Sequence, residues 1–117
     1  MAQTIETMYR VGVRNAQLDR VRCQDVTICS VAAEKEICVR APSATDTPGL
    51  SCWTSLQKAA RAARRGQPWE LPAGSTYDEK TLLLWKPRPD KWYWSPARQM
   101  PGSEFIAALR AVNDQFK

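Results

Sequence analysis

Two apolar runs joined by a proline-bearing turn, TLLLWK-PRPD-KWYWS over residues 81–95, constrain this chain more than any other stretch. Proline cannot continue a strand ladder, and the aspartate beside it favours a turn. The two runs therefore read as an antiparallel hairpin, with TLLLWK as a buried strand. Alternation along KWYWS puts Trp92 and Trp94 on one face and Tyr93 on the other. One face is expected to serve the core and the other to form the wall of a cleft. The remaining tryptophans, Trp69 and Trp85 among them, read first as packing residues.

The rest of the chain must fit around that hairpin. TIETMYRVGV reads as a first strand, although Ile5, Met8 and Val11 do not alternate cleanly and leave its buried face open. RNAQLDRVRCQ reads as a loop with a helical turn. DVTICSVA and EICVR read as short strands, with AEK as the turn between them. APSATDTPGL is loop chemistry. A helix is expected over SCWTSLQKAARAARR, with Ser51 as its N-cap. In that helix Trp53, Leu56, Ala60 and Ala63 face inward, Lys58, Arg61 and Arg65 face solvent, and Gly66 ends it. QPWELPAGSTYDEK supplies a strand and a turn. A last helix begins at Ser103, where Phe105, Leu109, Val112 and Phe116 form an apolar stripe at the helical period. The expectation is an α+β fold in a single domain: short, mostly antiparallel strands with one or two packing helices.

At 117 residues the chain suffices for one core. No apolar run approaches bilayer length, and MAQTIETMYR lacks a signal pattern, so a cytoplasmic protein is expected. The chain has no histidine, which excludes histidine triads, imidazole bases and the usual zinc sets. No metal site is expected. Cys23, Cys29, Cys38 and Cys52 lack the two-residue spacing of a zinc ribbon or redox motif and read as buried free thiols. Seventeen Lys and Arg against twelve Asp and Glu give a charge of +5, which suits a phosphorylated ligand, nucleic acid or an acidic protein.

Four stretches then follow in order: MYRVG with Tyr9 and Arg10, GLSCW with Ser51, WELPAGSTYDE, and KWYWSPARQM. Their order resembles that of the small ADP-ribosyltransferase-like toxins delivered by bacterial type VI secretion systems, and of their relatives. In those proteins a Tyr-Arg pair precedes a Gly-x-Ser step and a Pro-x-Gly turn. A His-Tyr strand then runs into Pro-Ala-Lys/Arg-x-Met. The resemblance spans Tyr9 to Leu109. It implies an ADP-ribosyltransferase-like fold, NAD as substrate, a cytosolic target, and an antitoxin or immunity protein as partner.

The resemblance also implies roles. Arg10, with Tyr9 beside it, would bind an anionic group, since a guanidinium is bidentate and always charged. Ser51 would bond the ribose or the nicotinamide amide. Either Tyr93 or Trp92 would stack on nicotinamide. Arg98 matches the basic residue of the Pro-Ala-Lys/Arg step and would contact phosphate or brace the last helix. Lys91 stands where the family has histidine, and Trp92 where it has tyrosine. Lysine brings charge without the paired donor and acceptor of a neutral imidazole. The catalytic set implied is Arg10, Ser51 and Lys91, with the carboxylate drawn from Glu70, Glu79 and Glu104.

Two other classes compete. A non-catalytic protein-interaction module would use the aromatics of KWYWS. A nucleic-acid binder would use Lys58, Arg61, Arg64 and Arg65, but such a row reads first as a solvated helix face. No zinc-finger, recognition-helix, RNP-type or glycine-rich phosphate motif accompanies it.

Overall fold

The computed structural model of the chain describes residues 1–31, 37–43 and 49–117, with the backbone alone at residues 23 and 29–31. In order come β1 (Ala2–Gln3), β2 (Met8–Gly12), a 3₁₀ turn (Cys23–Asp25), β3 (Thr27–Val31) and β4 (Ile37–Arg40). They are followed by β5 (Leu50–Trp53), α1 (Leu56–Ala62), β6 (Gln67–Leu71) and β7 (Thr76–Tyr77). The chain ends with β8 (Leu82–Arg88), β9 (Lys91–Pro96), β10 (Met100–Pro101) and α2 (Gly102–Asn113). The AEK turn and residues 44–48 of the proline-rich loop lie outside the described residues.

The expected hairpin is β8–β9, and it forms one side of a five-stranded antiparallel sheet ordered β6-β2-β5-β9-β8. Both edge strands carry a proline: Pro68 in β6, and Pro87 in β8 at a register shift between Trp85 and Arg88. Proline lacks the N–H that a central ladder needs, so its place is an edge or a bulge. A second antiparallel sheet runs β10-β4-β3, and β1 pairs with β7.

The inner face of the large sheet presents Met8, Leu50, Cys52, Leu71, Leu82 and Trp94, all essentially inaccessible. Against it pack Phe105, Leu109 and Val112 of α2, with Val39, Met100 and Leu18 filling the sides. The expected stripe of α2 is therefore buried, and Phe116, just past the helix, packs partly against the same cluster. The fold is a single-domain α+β arrangement with antiparallel sheets.

Four sequence expectations are corrected. Ser51 does not cap a helix: Leu50–Trp53 is the strand β5, with Leu50 and Cys52 buried, and the cap is Ser55, whose hydroxyl accepts the Lys58 N–H at 3.3 Å. The residue of α1 that turns inward is Ala59, whereas Leu56 and Ala60 are exposed and Ala63 lies past the last turn. The helix ends at Ala62, ahead of Gly66. TLLLWK is buried only at its start, at Thr81 and Leu82, because β8 is an edge strand.

At seven residues α1 is too short to persist alone, so tertiary ties must hold it. At its start the Thr54 N–H and hydroxyl donate to the Asp90 carbonyl at 3.0 and 3.3 Å. Lys58 Nζ lies 3.5 Å from the Asp90 carboxylate. Beyond its end Gly66 (φ +84°) lies so close to Gly12 that an added Cβ would sit 2.5 Å from the Gly12 carbonyl oxygen. Among the described residues no helix is long and apolar enough to cross a membrane.

Candidate functional site

The site is set by strand register. Tyr9 of β2 lies opposite Glu70 on one side and Trp53 on the other, and Trp53 lies opposite Lys91. Cross-strand partners share a face, so Glu70, Tyr9, Trp53 and Lys91 form one row on the outer face. Two residues along, Ser51 lies opposite Tyr93 and Tyr93 opposite Trp85. The two rows place Tyr9, Ser51, Tyr93 and Lys91 together, although they come from three strands.

Lys91 Nζ sits 4.1 Å from the centroid of the Trp53 ring, over its π-face. Tyr93 is almost fully buried and tilts against Trp85, with centroids 6.3 Å apart. It is part of the wall rather than an open stacking surface. Where α1 crosses the outer face, a recess of about 170 Å³ is lined by Arg10, Val11, Ser51, Trp53 and Ala62. The Ser51 hydroxyl makes no hydrogen bond among the described residues.

Arg10 and Trp92 have the opposite orientation. Arg10 Nε donates to the Ala16 carbonyl at 2.9 Å, and Nη1 donates to the Ser51 carbonyl at 2.6 Å. The guanidinium thus clamps the loop after β2 to β5 and reaches the recess from behind. Trp92 turns toward the core side, where its Nε1 donates to Glu6 at 2.5 Å beside Lys86. Arg98 pairs with Glu104 at 2.6 Å, so it braces the first turn of α2.

The three candidate carboxylates separate cleanly. Glu79 is held by the amide of Ala2 at 2.8 Å, and Glu104 by Arg98. Glu70 alone lies in the row beside Tyr9. Burial, then the Glu70 charge and hydrogen bonding to it, push the Tyr9 phenol above its ordinary value.

Sequence reasoning missed Trp53 as a site residue, having placed it on the inner face of a helix. Its neighbour Cys52 is fully buried, and burial pushes its thiol up to about 11. That value keeps it protonated and unfit as a nucleophile. The Trp94 indole N–H below has no hydrogen-bond partner among the described residues and lies toward this thiol, a weak acceptor. Cys38 is a free, half-buried thiol. Among the described residues no cluster of three or more Cys, Asp and Glu could hold a metal ion.

No family profile, no curated protein and no solved structure matches this chain.

Proposed function

We propose that the chain is an ADP-ribosyltransferase-like domain of the toxin class, using NAD as substrate at the outer face of the five-stranded sheet. One observation carries this reading. The Tyr-Arg, Gly-x-Ser and aromatic-strand stretches, scattered over some ninety residues of sequence, come to lie on β2, β5 and β9, consecutive neighbours in one sheet, and the Trp69–Leu71 part of the fourth stretch lies on β6 beside β2, with its Pro-x-Gly turn just past the strand end. Order in the sequence does not require adjacency in space.

The recess takes a single flat ring and not a dinucleotide, so nicotinamide would enter it and the remainder of NAD would extend over the open face. The free Ser51 hydroxyl would bond the amide or the ribose. Lys91, held over Trp53, supplies positive charge for the pyrophosphate, and Arg10 adds charge from behind through a guanidinium fixed by two carbonyls. The bond between ribose C1′ and the nicotinamide nitrogen breaks with its electron pair leaving on nicotinamide. The acceptor bonds C1′ and gives its proton to a carboxylate, for which Glu70 is the best-placed residue. Such a reaction depends on holding and electrostatically steadying a cation-like sugar.

The test is a titration of tryptophan fluorescence with NAD, using ADP-ribose and nicotinamide as controls. Saturable quenching is expected, weakened in Ser51→Ala and Lys91→Met. A flat titration on folded protein overturns the reading.

A second reading, a protein-interaction module, draws on a different place. An apolar groove of about 360 Å³ runs between β3, β4 and the start of α2, lined by Val26, Ile28, Ile37, Val39 and Phe105. Ile28 and Ile37 remain 38% and 43% exposed there.

A further inference from the structure

We propose that single-stranded nucleic acid binds along α1, with its phosphates on Arg61 of that helix and on Arg64 and Arg65 of the turn after it, and a base stacked at Trp53. The inference goes beyond the NAD reading and does not depend on it.

Charge is the first observation. From Thr54 to Gly66 the chain carries Lys58, Arg61, Arg64 and Arg65 and no acidic residue, which leaves a net charge of only +1 for the rest of the +5 chain. The excess is thus concentrated in one helix and the turn after it. Lys58 is engaged with Asp90, but Arg61, Arg64 and Arg65 are exposed and make no ion pair among the described residues. Arg14, exposed and likewise unpaired, follows Gly12, against which the turn after α1 packs. Three guanidiniums without ion pairs among the described residues, one on a helix tied at its start to Asp90 and two in the turn packed on Gly12, form a phosphate-binding row.

The second observation is the flat surface beside that row. Ala62, next to Arg61, lines the same recess as Trp53. Trp53 is half-buried, and Lys91 rests on its ring at 4.1 Å. With Lys91 over one face of the indole, a base stacked on the ring while the backbone follows the neighbouring charge is an arrangement that suits a single strand. A duplex would keep its bases out of reach.

The experiment is fluorescence anisotropy of labelled oligouridylate and oligothymidylate with the full chain at low and at physiological salt. Duplex DNA and polyglutamate serve as competitors. With about three phosphates neutralised, log K is expected to fall against log salt with a slope of about −2, a loss of about twentyfold for a fourfold rise in salt. Joint replacement of Arg61, Arg64 and Arg65 by glutamate should abolish binding while leaving NAD quenching unchanged. Trp53→Ala should weaken the single strand about tenfold, with Trp53→Phe restoring most of it. Absence of binding at low salt, or binding that survives the triple replacement, overturns the proposal. So does equal competition by duplex or polyglutamate. Because oligonucleotide binding and NAD quenching are separate readouts, either reading fails alone.

Discussion

Removing the Arg10 side chain tests the most consequential contact in the site. Its Nε and Nη1 reach the carbonyls of Ala16 and Ser51 at 2.9 and 2.6 Å. The Ala16 loop is anchored on its other side, where the Leu18 amide donates to the buried Asn113 side chain at 2.9 Å. Hydrogen bonds from charged donors contribute about 1.5–3 kcal/mol each. Arg10 is half-buried, so water partly replaces the lost donors, and the lower end applies. Arg10→Ala should then cost about 3 kcal/mol, or about 10 °C in Tm for a chain of this size. Arg10→Met, which keeps the aliphatic stem and loses every donor, should cost nearly as much. Arg10→Lys, which reaches one carbonyl, should fall midway. Urea unfolding followed by tryptophan fluorescence measures all three, with an unchanged m-value showing that the end states are the same. A cost below about 0.5 kcal/mol for Arg10→Ala, typical of an indifferent surface position, would refute the clamp. The guanidinium would then be free for a ligand, as the sequence resemblance alone implies.

Four further outcomes are expected. Iodoacetamide at mildly alkaline pH should modify Cys38 well before Cys52, because burial holds the Cys52 thiol at about 11; equal rates by mass spectrometry would contradict its burial. Glu6 has a folded pKa lowered by hydrogen bonds from Lys86 and then Trp92, so its contribution is present above the unfolded carboxylate range and lost as pH falls through the folded value. Glu6→Gln should accordingly flatten the acid limb of the stability profile, and superimposable limbs would count against the contact. Gly66→Ala should cost about 1–3 kcal/mol or more, from a positive φ and a collision with Gly12, read by the same urea titration. Phe105→Ala should cost about 3–5 kcal/mol, since the ring is fully buried between α2 and the sheet; a cost near 1 kcal/mol would mean that the core relaxes around the gap.

The hairpin and the last helix were legible because each carries a local signal. A proline-bearing turn at residues 87–90 separates two apolar runs, and Phe105, Leu109 and Val112 recur at helical spacing. Residues 50–56 obey two periods at once. Leu50 and Cys52 alternate as in a strand, while Trp53 and Leu56 also suit a helical face. Pairing of Ser51 with Tyr93, forty-two positions away, decided between them, and no local pattern carries that information. The consequence reached the site directly, since Trp53 moved from helix interior to sheet surface. Of the candidate carboxylates, Glu70 was separated from Glu79 and Glu104 by register and ion pairing. Both are tertiary facts. The roles of Arg10 and Arg98 were equally hidden, because the partners of a long flexible side chain depend on which backbone passes nearby.

The anchoring of α1 also determines how its surface appears and disappears. A seven-residue helix tied at one end to Asp90 and pressed at the other against Gly12 has no independent existence. Its amides should therefore exchange with deuterium through openings that also loosen the β8–β9 turn and the end of β2, as one cooperative unit rather than by fraying. Whatever binds Arg61 and the arginines of the turn after it would slow exchange at those distant strands too, and the row of charge would assemble only as the sheet closes.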